Sequence, residues 1–404
     1  MGHYFAHFVL ILGSRKANMS ELRAQKATLW FSSTLTVMAG ATIAPSIPQM
    51  ERVYQDLPQA ALWVGLILTL PGLFIAGGSM VVGPIIDRRG RLRTLYLGLA
   101  LYALAGTSGL YLSHIGLMLL GRALLGIAVA MVMTVTVTLA GDYFQGTAQK
   151  KFVGVQGVFM SVGGVIFVLV GGFLADVGWR APFALYSASL IILLLAVRYL
   201  PEPIRPKNVN QGLANSSFTW VHTVLYVSAI LSIILFYTVP LQVPYLVKEL
   251  GITENKYGGI AISLVMLGSS LTGLFYSKLR GFLSAPTLLG LSFLVMGFGY
   301  VFVPYVSTYG ALLGAIFISG LAAGLLMPNL SNWILEISPA HIRGKAVGLL
   351  TSMIFLGQFL NPFVSNPLKA AYGLGDTFLY IGTVGMVLSL VFFLGRKRLQ
   401  PSED

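Results

Sequence analysis

The stretch Gly83-Pro-Ile-Ile-Asp87-Arg88-Arg89-Gly90-Arg91-Leu-Arg93-Thr-Leu95 decides how the rest of the chain is read. It is a short polar turn between two apolar runs, 61–82 and 95–112, each long enough to cross a bilayer. Four arginines in so short a loop stay on the cytoplasmic face, so the turn sets the direction of every other run. Gly83 and Gly90 permit a tight backbone, and Asp87 places one negative charge among the cations.

Composition points the same way. Of 404 residues, 56% are hydrophobic and 10% charged, and the mean hydropathy is +0.81. A soluble domain carries about 25% charged residues, so the surface of this chain is covered by lipid. With no cysteine, disulfides and thiolate metal sites are excluded. The five histidines are scattered without ligand spacing, so neither a metal nor any other cofactor is expected. The net charge of +13 is a topology signal rather than a nucleic-acid footprint. Twenty of the 26 basic residues fall in the segments assigned to one face, and only Arg52, Arg180, Lys248, Lys256 and Lys369 in those assigned to the other.

Outward from the loop, the runs 27–47, 61–82, 95–112, 115–140, 152–175 and 181–199 make a first set of six. Residues 201–218 then hold three prolines, asparagine-rich turns and several charges, which reads as a linker. Six further runs follow, 222–247, 258–279, 286–305, 310–335, 346–365 and 378–394. The expected organisation is a cytoplasmic tail at 1–26, a six-helix bundle at 27–199, a linker at 200–220, a second bundle at 221–395 and a tail at 396–404. Residues 1–18 read as a loose tail or a start-site artefact. Shifting the first half by 194 positions lays Gly126 on Gly320, Asp142 on Glu336, Lys151 on Lys345, Gly154 on Gly348, Gly163 on Gly357 and Tyr186 on Tyr380. Twelve membrane helices in two pseudo-symmetric six-helix bundles, all-α, is therefore the expected fold.

The pattern Gly83-x-x-x-Asp87-Arg88-x-Gly90-Arg91-x-Arg93 resembles the loop between the second and third helices of the major facilitator superfamily, with Leu92 where that family usually has a basic residue. The resemblance implies a conformational latch made of Gly83, Asp87, Arg88, Gly90 and Arg91. Asp87 would face the start of the eleventh helix near residues 344–348, and Arg91 would pair with Asp142. Gly121-Arg122-Ala-Leu-Leu-Gly126 resembles the family's fourth-helix motif, with Leu125 in place of a glutamine, and implies a part for Arg122 in proton or substrate coupling. The stretch 171–180 is similar to the end of the fifth helix in drug-efflux members, although Phe167-Val168 stands where a Gly-Pro pair is usual.

None of the thirteen carboxylates lies in mid-membrane. A buried carboxylate is the simplest proton carrier, so coupling falls to boundary residues: Asp87, Asp142 and, with Arg122, Asp176. The expected cavity, lined mainly by the first, fourth, seventh and tenth helices, draws on the polar residues Thr34, Thr42, Tyr237, Gln242, Asn329, Asn332, Gln358 and Asn361 and on the adaptable Met38 and Met133. No nucleophile or acid pair at membrane depth suggests an enzyme. The expected function is alternating-access transport of small, partly apolar organic molecules. Proton-coupled efflux of a drug, siderophore or other secondary metabolite comes first, and uptake symport or facilitated diffusion on the same fold is the alternative. The implied setting is an inner (plasma) membrane, the chain monomeric in the lipid bilayer with both termini cytoplasmic, and the implied partners are the substrate and protons.

Overall fold

The computed structural model describes residues 19–203, 218–339 and 341–399, excepting the side chains of Met19, Met80, Pro84, Asp87 and Lys150. The expected tail at 1–18, most of the linker (204–217), the last five residues and the Asp87 carboxylate lie outside that description.

The described chain is helical throughout, with no strand among its residues. Its long helices are α1 (Met19–Ala41), α2 (Ala60–Arg89), α3 (Arg91–Gly106), α4 (Ile115–Tyr143), α5 (Gly146–Val177), α6 (Ala188–Tyr199), α7 (Trp220–Glu249), α8 (Lys256–Phe282), α9 (Ala285–Val301), α10 (Tyr309–Ile337), α11 (Arg343–Tyr372) and α12 (Leu374–Leu399). Eleven described stretches are long and apolar enough to cross a bilayer. The sixteen residues of α3 are lengthened by the turn Ser108–Tyr111 into the twelfth crossing. Large side chains such as Leu104, Leu194, Leu274 and Leu394, 66–84% exposed, project from the outside of the bundle, where lipid replaces water as solvent.

Lipid supplies no hydrophobic drive between helices, so close backbone approach at small residues holds them together. Helices α1–α6 form one bundle and α7–α12 the other, and the two repeat each other in detail. A Cβ added at Gly126 of α4 would lie 2.5 Å from the Pro71 carbonyl of α2, and one at Gly320 of α10 2.5 Å from the Val265 carbonyl of α8. Both members of the second pair stand 194 residues after those of the first. The Tyr102 hydroxyl of α3 donates to the Leu35 carbonyl of α1, and that of Tyr300 in α9 to Leu235 in α7, each at 2.8 Å. An arginine–carboxylate pair closes the same end of each bundle, Arg91 with Asp142 and Arg280 with Glu336.

Two crossings join the bundles, α2 on α11 and α5 on α8. Each is tight toward the end remote from the arginine loop. A Cβ at Gly72 would come within 2.7 Å of the Phe355 carbonyl, and one at Gly172 within 3.1 Å of the Gly259 Cα. Past the hydrogen bond from Ser352 to the Ala76 carbonyl, both crossings part toward the loop end: no atom of the described residues lies within 4 Å of a Cβ placed at Gly83, Gly154, Gly157, Gly344 or Gly348. Among the described residues the two bundles thus form a wedge, sealed at one end and open at the end that carries Arg88–Arg93.

Candidate functional site

Along the axis of the wedge lies a cavity of about 460 Å³, within the size range of sites for drug-sized molecules. The first bundle contributes α1 (Thr36, Val37) and α5 (Met160, Ser161); the second contributes α7 (Phe236, Tyr237), α8 (Met266, Ser269), α10 (Met327) and α11 (Phe355, Gln358). Among the described residues, none that lines it is charged. The wall is methionine, aromatic and aliphatic surface broken by a few polar groups. Most span hydroxyls bond back to their own helix, as Thr42 does to Met38 and Ser270 to Met266. Thr36, Ser161, Ser269 and the Gln358 amide line the cavity without a hydrogen-bond partner among the described residues, so their polar atoms are available to a guest. Pro240 and Pro362 leave the carbonyls one turn earlier, at Phe236 and Gln358, without a helical N–H to accept from.

Of the ten residues expected to line a cavity, the structure brings Tyr237 and Gln358 to this one. Thr34 bonds back to Phe31 and faces a separate apolar groove between α1 and α5. Met38 and Thr42 are buried in helix packing, and Met133 is half-buried against the core. Gln242 donates to Ser365 and Asn366, both at 3.0 Å, and Asn361 to the Ile234 carbonyl and Thr238, so these amides tie α7 to α11. Asn329 donates to the Ala285 carbonyl at the start of α9, and Asn332 is exposed. The wall differs from the expected one in its helices too: α4 supplies none of the lining residues, and α5, α8 and α11 do. Glycines explain the exchange, since Gly164 lets α5 close on Val37 and Met266.

The face of α4 is occupied by Arg122, which is fully buried and does not reach the cavity. Its Nε donates to the Ile67 carbonyl at 2.7 Å, and its Nη2 to the Ala39 carbonyl at 3.0 Å and the Tyr186 hydroxyl at 3.2 Å. The Tyr186 ring lies 5.0 Å from the guanidinium carbon. Both carbonyls lack ordinary helical partners: Ile67 precedes Pro71 by one turn, and Ala39 is in the last turn of α1. Nη1 is buried with no partner among the described residues.

At the loop end, Arg91 donates to Asp142, while Glu202 accepts from the backbone N–H groups of Arg91 and Leu92 at 2.8 and 2.9 Å. A carboxylate at the first turn of α3 satisfies two orphan donors and complements the helix dipole. Gly90 turns the chain there with φ +96°. Arg88 is exposed, and no atom of the described residues lies within 4 Å of a Cβ placed at Gly83. At the sealed end, exposed Asp176 of α5 accepts from the backbone N–H groups of Asn255 and Lys256 at the start of α8. Glu51, in the short helix Ile47–Val53, pairs with Lys369 of α11 at 3.5 Å and accepts from the Tyr245 hydroxyl of α7. Nearby, Tyr54 donates to the Ser113 carbonyl; burial raises its phenol above the usual range, against the opposing pull of Arg180.

Nothing in the sequence marks Glu51, Lys369, Glu202, Ser161, Gly40 or Gly72 as parts of the site or its seal. Pro71 was the available signal for the Arg122 site, because a proline within a span marks an unpaired carbonyl one turn before it.

The family model described as Major Facilitator Superfamily matches residues 29–239 and 225–404. Quinolone resistance protein NorA of Staphylococcus aureus (strain COL) is 20% identical over 390 residues, covering 94% of this chain and 99% of that protein. Tetracycline resistance protein, class B, of Escherichia coli is 24% identical over 346 residues, covering 82% and 84%. Among solved structures, the D-xylose-proton symporter superposes with a TM-score of 0.76 at 17% identity, over 92% of this chain and 97% of that one. A bacterial homolog of the lysosomal transporter Spinster, inward-facing and occupied, gives 0.75 at 16% identity, over 94% and 98%. The chain belongs to the major facilitator superfamily and is a multi-pass membrane transporter rather than an enzyme.

Proposed function

We propose that this protein exports small, uncharged, largely apolar organic molecules, with protons as the coupling ion. The observation that carries the reading is the uncharged cavity between the bundles, whose apolar wall is broken by a few side-chain hydroxyls and one amide. Such a wall favours guests that lose little hydration on entry and penalises ions, which would be desolvated without a partner. The likeness to two proteins named for quinolone and tetracycline resistance supports export. On this reading the open end faces the cytoplasm, because the arginine-rich loop belongs there. Both termini lie on that side of an inner membrane, and the monomer is the working unit. The wedge is then the inward-open state, ready to load from the cell.

The test is flux of the neutral lipophilic dye Nile red in cells and in everted vesicles. Expressing cells accumulate less dye, and a protonophore restores accumulation. Everted vesicles take up dye when their lumen is acidified. Dye entering expressing cells faster than controls supports uptake or facilitated diffusion instead, which the uncharged wall also accommodates. Flux indifferent to the proton gradient removes the coupling ion from the proposal.

A further inference from the structure

Two side chains of the second bundle line the cavity and also plug the seal above it. Tyr237 of α7 donates its hydroxyl to the Gly40 carbonyl of α1 at 3.2 Å. Gln358 of α11 lies against Gly72 of α2, where an added Cβ would sit 3.3 Å from its amide carbon. The sockets are glycines for a steric reason: a Cβ at Gly40 would collide with the Tyr237 hydroxyl, and one at Gly72 would press on the Phe355 carbonyl at 2.7 Å. Gly40 lies in the last turn of α1, where carbonyls have no helical N–H to accept from, so Tyr237 gives that carbonyl a donor from across the bundle interface. Tyr237 therefore has one hydroxyl proton and two claimants, the Gly40 carbonyl and whatever occupies the cavity.

We propose that Tyr237 is the residue through which the cavity selects its guest and releases the seal: an uncharged molecule bearing a hydrogen-bond acceptor, such as a carbonyl or ether, takes the Tyr237 hydroxyl from Gly40. This deepens the cavity reading given above and rests on it. The Gln358 amide, which has no partner among the described residues, supplies further donors beside the same guest. A guest without an acceptor fits the apolar wall but leaves the Tyr237–Gly40 bond in place. Binding energy spent on the hydroxyl is in this way converted into loss of one contact between the bundles, as a population shift requires.

The chain has no cysteine, so a single Met160→Cys reporter at a half-buried position of the cavity wall labels without background. Two probes are compared on purified full-length protein: Nile red, which carries a carbonyl, and diphenylhexatriene, a hydrocarbon. Tyr237→Phe weakens Nile red by up to about tenfold, a ceiling set by one neutral hydrogen bond because the guest's bond replaces the one to Gly40, and leaves diphenylhexatriene unchanged. Gly40→Ala strengthens Nile red binding, because the added Cβ displaces the Tyr237 hydroxyl from Gly40 and the guest no longer has that carbonyl as a rival. In right-side-out vesicles both variants raise labelling of the reporter by an impermeant thiol reagent, and Nile red raises it in the Met160→Cys background more than diphenylhexatriene does. Equal loss of both probes in Tyr237→Phe, or unchanged labelling in both variants, overturns the proposal while leaving the transport reading standing. Failure of the unaltered protein to bind either probe overturns the cavity reading itself.

Discussion

Pro71 has no amide hydrogen, and Arg122 supplies the donor that Pro71 lacks: its Nε reaches the Ile67 carbonyl, one turn before the proline, at 2.7 Å. The same guanidinium holds the Ala39 carbonyl at the end of α1. Arg122 is thus a staple between two interrupted helices, and magnitudes decide what its loss does. Burying the cation costs about 2.5–3.5 kcal/mol on insertion scales. Stranding two carbonyls costs about 1–3 kcal/mol each. The terms nearly cancel, so Arg122→Leu should insert and melt within a few degrees of the parent. Transport should fall more than tenfold, because α1 and α2 lose their common anchor next to the seal. Arg122→Lys should do no better, since an ammonium does not reproduce the planar fork that spans both carbonyls. Thermal melting in detergent beside vesicle flux checks both halves of the statement. A collapse in melting with flux lost in proportion would reduce Arg122 to a purely stabilising part.

The two loop glycines separate by the same kind of reasoning. Gly90 sits at φ +96° and ψ 158°, a region nearly closed to other residues, where strain costs about 1–3 kcal/mol. Gly83 is helical, with open space where its Cβ would be. Gly90→Ala should lower the melting midpoint by several degrees. Gly83→Ala should hold or raise it, by up to about 1 kcal/mol of helix propensity, yet slow transport if the open end closes over that face during the cycle. Equal melting effects in the two variants would contradict the assignment.

Legibility in the sequence followed the strength of the constraint. Lipid demands runs of about twenty apolar residues, so the spans could be counted, and the repeat could be found at Gly126 and Gly320 because backbone contact admits no side chain there. Arg122 stood out because a charge in a span is costly. Its partners did not, because a backbone carbonyl belongs to every residue and only Pro71 marks the freed one. The amides were visible as polar groups that must be satisfied. Whether they satisfy one another, as Gln242 and Asn366 do, or face the cavity, as Gln358 does, depends on helix rotation that periodicity leaves open in spans apolar on all sides. Hydroxyls are harder still. Thr36 and Ser161 read like the many that bond back to their own helix, and only the three-dimensional wall distinguishes them.

Beyond the glycine contacts, the sealed end is held by Glu51 and Lys369, with the lysine 3.4 Å from the Tyr245 ring centre. Their side chains remain 28% and 20% exposed, so the pair is partly screened and is worth no more than about 1 kcal/mol. Glu51→Gln should therefore raise labelling of a cavity cysteine from the sealed side by up to about fivefold. High salt should produce the same rise in the parent and little further rise in the variant, because the Debye length shrinks to about 3 Å at 1 M. A salt response undiminished in Glu51→Gln would assign the screening to other charges.

The α5–α8 crossing offers the sharpest test of the wedge. Gly172 faces Gly259 across the bundle interface, and a Cβ added to Gly172 would meet only backbone, the Gly259 Cα at 3.1 Å and the Lys256 Cα at 3.2 Å. Backbone cannot rotate aside as a side chain can, so the helices themselves must part. In lipid nothing compensates for the lost contact. Gly172→Val should thus favour the state in which this end is open, exposing the Met160→Cys reporter to reagent from the sealed side and protecting positions at the loop end such as Gly154→Cys. Gly178, just past the end of α5 with no neighbour within 4 Å of its Cβ position, is the control: Gly178→Ala should move neither reporter. Reciprocal labelling in the first variant and none in the second is the signature of two rigid bundles rocking about the cavity. A rise at both ends together would mean that the bundles had simply loosened.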